Sequence, residues 1–205
     1  MRPVSDADPD AEAELEGLAD ASMPALLVEF GLVRPVEDDI RVTEPFLERW
    51  QAELATLEAA DERVAALATL LDEPVERVDI EYREENQPFG IAGDRAVHNW
   101  ISEASLRTDL AAHRAVTDER WAALDRNDRT RILRSFRVVL DTCPTCAGPV
   151  VPTEEVVESC CRDWDVIAVR CTECGAHIVE LPPPGTDGDR GGSDPLPPRG
   201  GGFTR

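Results

Sequence analysis

Four of the six cysteines in this chain of 205 residues form two Cys-x-x-Cys pairs, the residue pattern best suited to chemistry. Cys143 pairs with Cys146, Cys171 pairs with Cys174, and 24 residues lie between the pairs. Each pair predicts a tight turn whose backbone N–H groups point at the sulfurs. Two such turns at strand ends would place four thiolates in a tetrahedron, which binds Zn²⁺ at Zn–S distances of about 2.3 Å. The spacing therefore predicts a structural zinc site, because four thiolates leave no position open for a substrate.

Three other interpretations of these cysteines compete with a zinc site. Iron in a rubredoxin-like site uses the same spacing, so iron stays open as the alternative metal. Two disulfides are expected in an oxidising compartment, which the rest of the sequence does not indicate. A thioredoxin-type motif requires one pair at the start of a helix, whereas strand-like sequence flanks both pairs here. Gly148 and Gly175 follow the pairs and are expected to ease the turns.

The two remaining cysteines, Cys160 and Cys161, are adjacent in the run "VVESCC". They are not expected to bond to each other, since neighbouring Cα atoms lie about 3.8 Å apart and disulfides need at least about 4.4 Å. Along a strand they point to opposite faces, and the alternation puts Cys161 inside and Cys160 outside. The favoured interpretation is one buried apolar residue and one incidental thiol, with Cys160 as a candidate reactive thiol or a substituted metal ligand as the alternatives. His177, three residues after Cys174, is predicted to be a surface histidine.

Arginines crowd one predicted helix just before the cysteines. They are Arg126, Arg129, Arg131, Arg134 and Arg137. Arg131, Arg134 and Arg137 are candidate phosphate contacts, but pairing with neighbouring carboxylates is favoured. The affinity for nucleic acid that counterion release provides falls at high salt, and residues 141–181 contain eight acids against two arginines. The sequence therefore permits a nucleic-acid partner without favouring one, and a protein partner is expected.

The elements that must position these residues indicate an α+β fold. We predict a small antiparallel sheet with packed helices in residues 21–140, followed by a β-rich zinc ribbon in residues 141–181. Residues 1–20 hold seven acids and one arginine, and residues 182–205 hold six prolines and seven glycines. Both segments are predicted to be disordered, because neither can bury enough apolar surface to offset the entropy of ordering.

Local signals place the elements of the α+β part. "LVRPV" and "IRVT" predict two short strands around a turn, and "VDIEY", "FGIAG" and "RAVHNW" predict three more. Helices are predicted to start at Thr43, Asp61 and Ser102, each as an N-cap. The first two have apolar stripes that are predicted to face the core: Phe46, Trp50, Leu54 and Leu57 in the first, and Val64, Leu67, Leu70 and Leu71 in the second. A final helix, "NDRTRILRSFRVVL", has an apolar face opposite its arginines.

Charge is the strongest feature of the overall composition. There are 42 acidic residues against 21 basic ones, every basic residue is arginine, and the formal net charge is -21. This balance is typical of a protein from a salt-saturated cytoplasm, where carboxylates maintain solubility; the alternative is an acidic protein that binds a basic partner. The N-terminus lacks the basic and apolar pattern of a secretory signal, and no apolar run reaches the roughly 20 residues of a membrane span. We therefore expect a cytoplasmic protein.

Three stretches carry a family resemblance: "GDRAVHNWISEASLRTDLAAHRAV", "CPTCAGPV" and "VESCCRDWDVIAVRCTECGA". In these the chain resembles a group of uncharacterised haloarchaeal proteins with a C-terminal zinc ribbon. The resemblance spans residues 24–181 and implies an intracellular protein of a high-salt archaeon, with its metal at the four paired cysteines. It implies no activity. Ile101 and His177 depart from the expected proline and arginine.

The function predicted from the sequence is that of a non-catalytic zinc-ribbon interaction protein of a halophilic archaeon. A role in transcription or its regulation follows by analogy of fold alone. The alternative is a thiol-dependent or sulfur-handling enzyme that uses Cys160 or Cys161. No catalytic residue and no organic cofactor are predicted.

Overall fold

A computed structural model describes four stretches of the chain, residues 22–37, 39–83, 87–158 and 163–181. Side chains are described in all four except at residues 155–158 and 163–165. The predicted acidic arm at residues 1–20 and the predicted tail at residues 182–205 lie outside the described residues, as do Cys160 and Cys161.

The described part begins with a short helix and a β-hairpin. Helix α1 (Met23–Glu29) starts after Ser22, whose side chain caps the helix. Gly31 then takes a φ of 70°, a left-handed conformation that favours glycine, and directs the chain into the hairpin. Strand β1 (Val33–Val36) pairs antiparallel with β2 (Asp39–Val42). This pairing confirms the two short strands predicted around a turn.

Two amphipathic helices follow, α2 (Glu44–Thr56) and α3 (Ala60–Leu71). The apolar stripes predicted for them are largely buried. The buried members are Phe46, Trp50, Leu54, Leu57, Leu67, Leu70 and Leu71. The periodicity of the sequence therefore identified the core-facing sides of both helices.

The two predicted N-caps at these helices were wrong in detail. Thr43 occupies the N-cap position of α2, but its hydroxyl donates a hydrogen bond to the carbonyl of Gly31, 2.8 Å away, and does not accept one from the helix. The tertiary contact with the hairpin thus replaces the local cap. Asp61 lies inside the first turn of α3, where a carboxylate suits the positive end of the helix dipole, and Ala59 holds the N-cap position.

A three-stranded antiparallel sheet comes next, in the order β3-β4-β5. Its strands are β3 (Val78–Tyr82), β4 (Pro88–Ala92) and β5 (Arg95–Asn99), which agree with the prediction. One face lies on α3, and at Gly90 the approach is so close that an added Cβ would sit 2.9 Å from the Leu67 side chain.

Three helices complete the part of the fold before the cysteines. Helix α4 (Glu103–Ala115) begins with a capping box between Ser102 and Ser105, as the sequence predicted for Ser102. The short helix α5 (Arg120–Ala123) was not predicted. Helix α6 (Arg126–Val138) buries the predicted apolar residues Ile132, Leu133 and Phe136 against α1 and α4.

Residues 141–181, called the ribbon below, form a second three-stranded antiparallel sheet. Its strands are β6 (Val150–Glu158), β7 (Asp163–Cys171) and β8 (His177–Leu181), in the order β6-β7-β8. Strand β8 contacts α4 and α6, and Ile178 and Val179 are almost fully buried in the core that the helices share. The Ser102 hydroxyl also donates a hydrogen bond to the carbonyl of His177, which joins the start of α4 to β8.

The predicted fold class is confirmed. The described residues form an α+β structure with small antiparallel sheets, packed helices and a C-terminal sheet that carries the paired cysteines. In the stretches of chain that the structure describes, none of the helices combines the length and apolar character needed to cross a bilayer.

Candidate metal centre

The first cysteine pair lies in a tight turn just before β6. The N–H of Cys143 donates to the carbonyl of Gly148 at 2.8 Å, and the N–H of Ala147 donates to the carbonyl of Cys143 at 3.0 Å. These bonds fold the chain back on itself, so that Cys143 and Cys146 share one side of the turn. The predicted knuckle is therefore formed by backbone bonds within six residues.

The second pair repeats this geometry at the end of β7. The N–H of Cys171 donates to the carbonyl of Ala176 at 2.9 Å, and the N–H of Gly175 donates to the carbonyl of Cys171 at 3.0 Å. Each bond has its counterpart at the same spacing in the first turn. The two turns are thus equivalent halves of one centre, although they are separated in sequence.

The four sulfurs meet between the two turns, all within 4.8 Å of one another. The Sγ atoms of Cys143 and Cys174 are 3.6 Å apart, and those of Cys146 and Cys171 are 3.5 Å apart. A disulfide would require about 2.05 Å. A tetrahedron with metal–sulfur bonds of about 2.3 Å has sulfur–sulfur edges of about 3.8 Å. The spacing fits four thiolates around one metal ion.

Backbone N–H groups point at sulfurs in both turns, and at Cys171 they stabilise the thiolate. The N–H of Thr145 points at the Cys143 sulfur at 3.4 Å. At the second turn, the N–H of Cys174 and then that of Glu173 lower the pKa of the Cys171 thiol to about 7. Because a metal binds the thiolate and not the thiol, the lowered pKa of Cys171 favours metal binding at this sulfur.

Burial of the centre is uneven. Cys143 and Cys171 are buried against the core, whereas Cys146 and Cys174 are exposed. The inner pair anchors the turns to the core, and the outer pair lies at the solvent-facing side of the centre. Burial also raises the pKa of the Cys143 thiol.

The left-handed residue of the first turn is not the one that the sequence suggested. Ala147 has a φ of 59°, whereas Gly148 is not among the residues with positive φ. In the second turn the equivalent position is Gly175, with a φ of 71°. The glycine at 148 instead lies against the Glu173 side chain, where an added Cβ would be 2.7 Å from its carboxyl group.

Exchanging the residue types at these equivalent positions is expected to have opposite effects. Ala147→Gly relieves left-handed strain and should raise the free energy of unfolding by about 0.5 to 1 kcal/mol, while Gly175→Ala should lower it by about 1 kcal/mol. Denaturant unfolding of the metal-loaded protein measures both. Equal shifts of the same sign at the two positions would contradict the equivalence of the turns.

His177 is placed differently from its prediction. Its side chain is only 12% exposed, and its Nε2 lies 3.4 Å from Glu180, so the predicted surface histidine is largely buried. The reason is that β8, which begins at His177, packs on the helices. Among the described residues, the group of possible metal ligands contains the four cysteines and does not include His177.

The arginines of α6 divide between its surface and its interior. Arg129 is buried and pairs with Asp72, and Arg131 pairs with Asp128 at 3.2 Å. Arg126 and Arg134 are exposed. Much of the predicted cationic face is therefore engaged within the molecule.

Arg137 corrects the predicted set of phosphate contacts. It is 6% exposed, and its Nε lies 3.0 Å from Asp109, which is also buried. Asp109 further accepts a hydrogen bond from the Trp100 indole at 2.8 Å, and Arg137 donates to the carbonyl of Ile178 at 3.4 Å. Arg137 thus joins α4, α6 and β8 and does not face solvent, so it is removed from the candidate phosphate contacts.

Burial raises the pKa of Asp109, and the Arg137 guanidinium followed by the Trp100 N–H opposes that rise. Sequence reasoning missed this group. A signal was present: Arg129, Leu133 and Arg137 recur at a spacing of four, which places both arginines on the face of the buried leucine.

The fold and this centre define an α+β protein with a C-terminal four-cysteine ribbon. The chain belongs to a family of unknown function (DUF8054), whose central-domain model matches residues 22–138 and whose C-terminal-domain model matches residues 141–181. No curated protein and no solved structure matches this chain.

Proposed function

We propose that this chain is a non-catalytic interaction protein from the cytoplasm of a halophilic archaeon, with Zn²⁺ held by Cys143, Cys146, Cys171 and Cys174. The observation that carries the proposal is the closed set of four sulfurs between two equivalent turns. A metal with four thiolate ligands has no open position for a substrate, so its role is to hold the ribbon together.

The three histidines support a non-catalytic role, because each is engaged in packing or bonding. His98 stacks edge-on against Trp100 at 4.3 Å between ring centres, and His177 pairs with Glu180. His113 accepts a hydrogen bond from the Trp121 indole at 3.0 Å. Burial lowers the pKa of both His98 and His113 to about 4, so both are neutral at physiological pH.

Charge supports a protein partner over nucleic acid. The net charge is -21, Arg129 and Arg137 are buried, and Arg131 pairs with Asp128, which leaves Arg126 and Arg134 of the five α6 arginines for a phosphate backbone. At molar salt the Debye length is about 3 Å, so a partner is recognised by close contact and not by long-range attraction. We place the role in transcription or its regulation, on the analogy that zinc ribbons serve there.

Metal analysis of the purified protein tests this proposal. We expect about one zinc per chain, and we expect Cys143→Ser to lose it. Cys160→Ser is the matched control, since it removes a cysteine from outside the two pairs and should leave the zinc content unchanged. Iron in place of zinc would overturn the choice of metal, and full zinc in Cys143→Ser would overturn the ligand set.

A further inference from the structure

The β3-β4-β5 sheet has one face in the core and one face that the described elements leave uncovered. Because partners in an antiparallel pair share a face, the register puts Phe89 opposite Glu81 and Ile91 opposite Asp79 on the side away from Gly90 and α3. An open cleft of about 700 Å³ lies over this side. The name outer face is used below for Asp79, Glu81, Phe89, Ile91 and Ala96.

Apolar side chains form the floor of the cleft. Phe89 and Ile91 are half-buried although no described element covers them. The guanidinium of Arg83 already lies over the Phe89 ring, 5.0 Å from its centre. That contact is a cation–π interaction, so the ring lies where a guanidinium can reach it.

Carboxylates surround this floor. Glu76, Asp79, Glu81 and Asp94 all line the cleft, against Arg77 in its lining and Arg83 over the Phe89 ring. Arg77 itself is 3.6 Å from the carboxylate of Glu73. The charge of the rim is therefore negative, and a phosphate backbone or an anionic lipid surface would be repelled from it.

We propose that the outer face docks a segment of a partner protein that carries arginine side chains next to apolar ones. Apolar side chains of such a segment cover Phe89 and Ile91, and its guanidinium groups pair with Asp79 and Glu81. Arginine suits this site because its planar fork matches carboxylates and stacks on aromatic rings, and both contacts act at short range. The inference rests on the proposed interaction role and assigns a surface to it.

The high acidity of the whole chain does not by itself explain the carboxylates around the outer face. Exposed carboxylates also occur on helices such as α2, where Glu44 and Glu48 are exposed. The outer face differs because its carboxylates border a cleft with an aromatic floor. This difference provides the matched control for an experiment.

The experiment uses the full-length, metal-loaded protein and a synthetic 12-residue peptide made of Arg-Arg-Val-Val repeats, which presents both residue types on each face when extended. Affinity is measured by calorimetry in 1 M KCl. Asp79→Asn together with Glu81→Gln is expected to weaken binding about tenfold, and Phe89→Ser by a similar factor. Glu44→Gln together with Glu48→Gln removes the same charge elsewhere and should change the affinity less than about twofold. Circular dichroism confirms that each variant is folded.

Three outcomes would overturn the docking site. They are equal weakening by the two carboxylate variants, equal affinity for a peptide with glutamate in place of arginine, and absence of binding by the parent protein. Zinc content is measured on the same samples. Failure of peptide binding with one zinc per chain rejects the outer face alone, whereas absence of zinc counts against the proposed function independently.

Discussion

Removal of the metal that we propose at the four cysteines is expected to unfold the ribbon. Backbone bonds hold each cysteine pair within its turn, and next to the turns the Thr172 N–H donates to the carbonyl of Pro149 at 3.0 Å. Without a metal, however, nothing joins the four sulfurs themselves, which lie within 4.8 Å of one another. Structural zinc in small modules contributes an apparent binding free energy of about 10–16 kcal/mol. That is comparable to the whole stability of a domain, so we expect the largest loss of any change considered.

The loss should spread to the helices that touch β8. Ile178 and Val179 lie in the shared core, and each such buried side chain contributes about 1.5–3 kcal/mol. Hydrogen exchange of the full-length protein with and without a chelator should show lost protection throughout residues 141–181, partial loss in α4 and α6, and little change in the β3-β4-β5 sheet.

A chelator saturated with zinc beforehand is the control, and restoring zinc should restore protection. Unchanged protection of β7 and β8 after complete removal of the metal would show that the ribbon folds without it. The centre would then have some role other than holding the two turns together.

The cysteine centre could be predicted from the sequence because its information is local. Each pair needs only its own six-residue turn, and strand signals on either side determine where the turns lie. The amphipathic helices were predictable for the same reason, since a stripe such as Phe46, Trp50 and Leu54 requires a periodicity and no knowledge of the partner surface.

The predictions that failed depended on tertiary contacts. Thr43 bonds to Gly31 because the hairpin packs at the start of α2, and His177 is buried because β8 packs on the helices. Arg137 was named as a candidate phosphate contact, with pairing to carboxylates as the favoured alternative, and Asp109 supplies a buried partner 28 positions earlier in the chain. The spacing of four from Leu133 places Arg137 on the buried face of α6, but no local pattern identifies its partner.

The buried pair of Asp109 and Arg137 also determines how the ribbon attaches to the helices. Arg137 connects Asp109 on α4 with the carbonyl of Ile178 on β8, and Trp100 donates to the same carboxylate. Charged groups buried in this way are costly unless each has its partner. The pair therefore favours one position of β8 against the helices over alternatives that would leave a charge unpaired.

Breaking this pair on one side is expected to be strongly destabilising. Arg137→Gln leaves the Asp109 carboxylate buried without its counter-charge, and Asp109→Asn leaves the Arg137 guanidinium buried without its counter-charge. Each variant should lower the free energy of unfolding by about 3–5 kcal/mol. The double variant, with two neutral amides, should lose less than the two single losses combined, with a coupling of about 0.5–3 kcal/mol. This coupling is obtained from denaturant unfolding of the parent protein, the two single variants and the double variant, all with metal bound.

Arg131→Gln is the matched control, because it breaks an exposed pair with Asp128 on the same helix, where the arginine side chain is 62% exposed. Surface pairs contribute about 0–1 kcal/mol, so its effect should be several-fold smaller. If Arg137→Gln were no more destabilising than Arg131→Gln, the pair would not hold the ribbon in place. An additive double variant would likewise show that the two charges do not interact as their 3.0 Å separation implies.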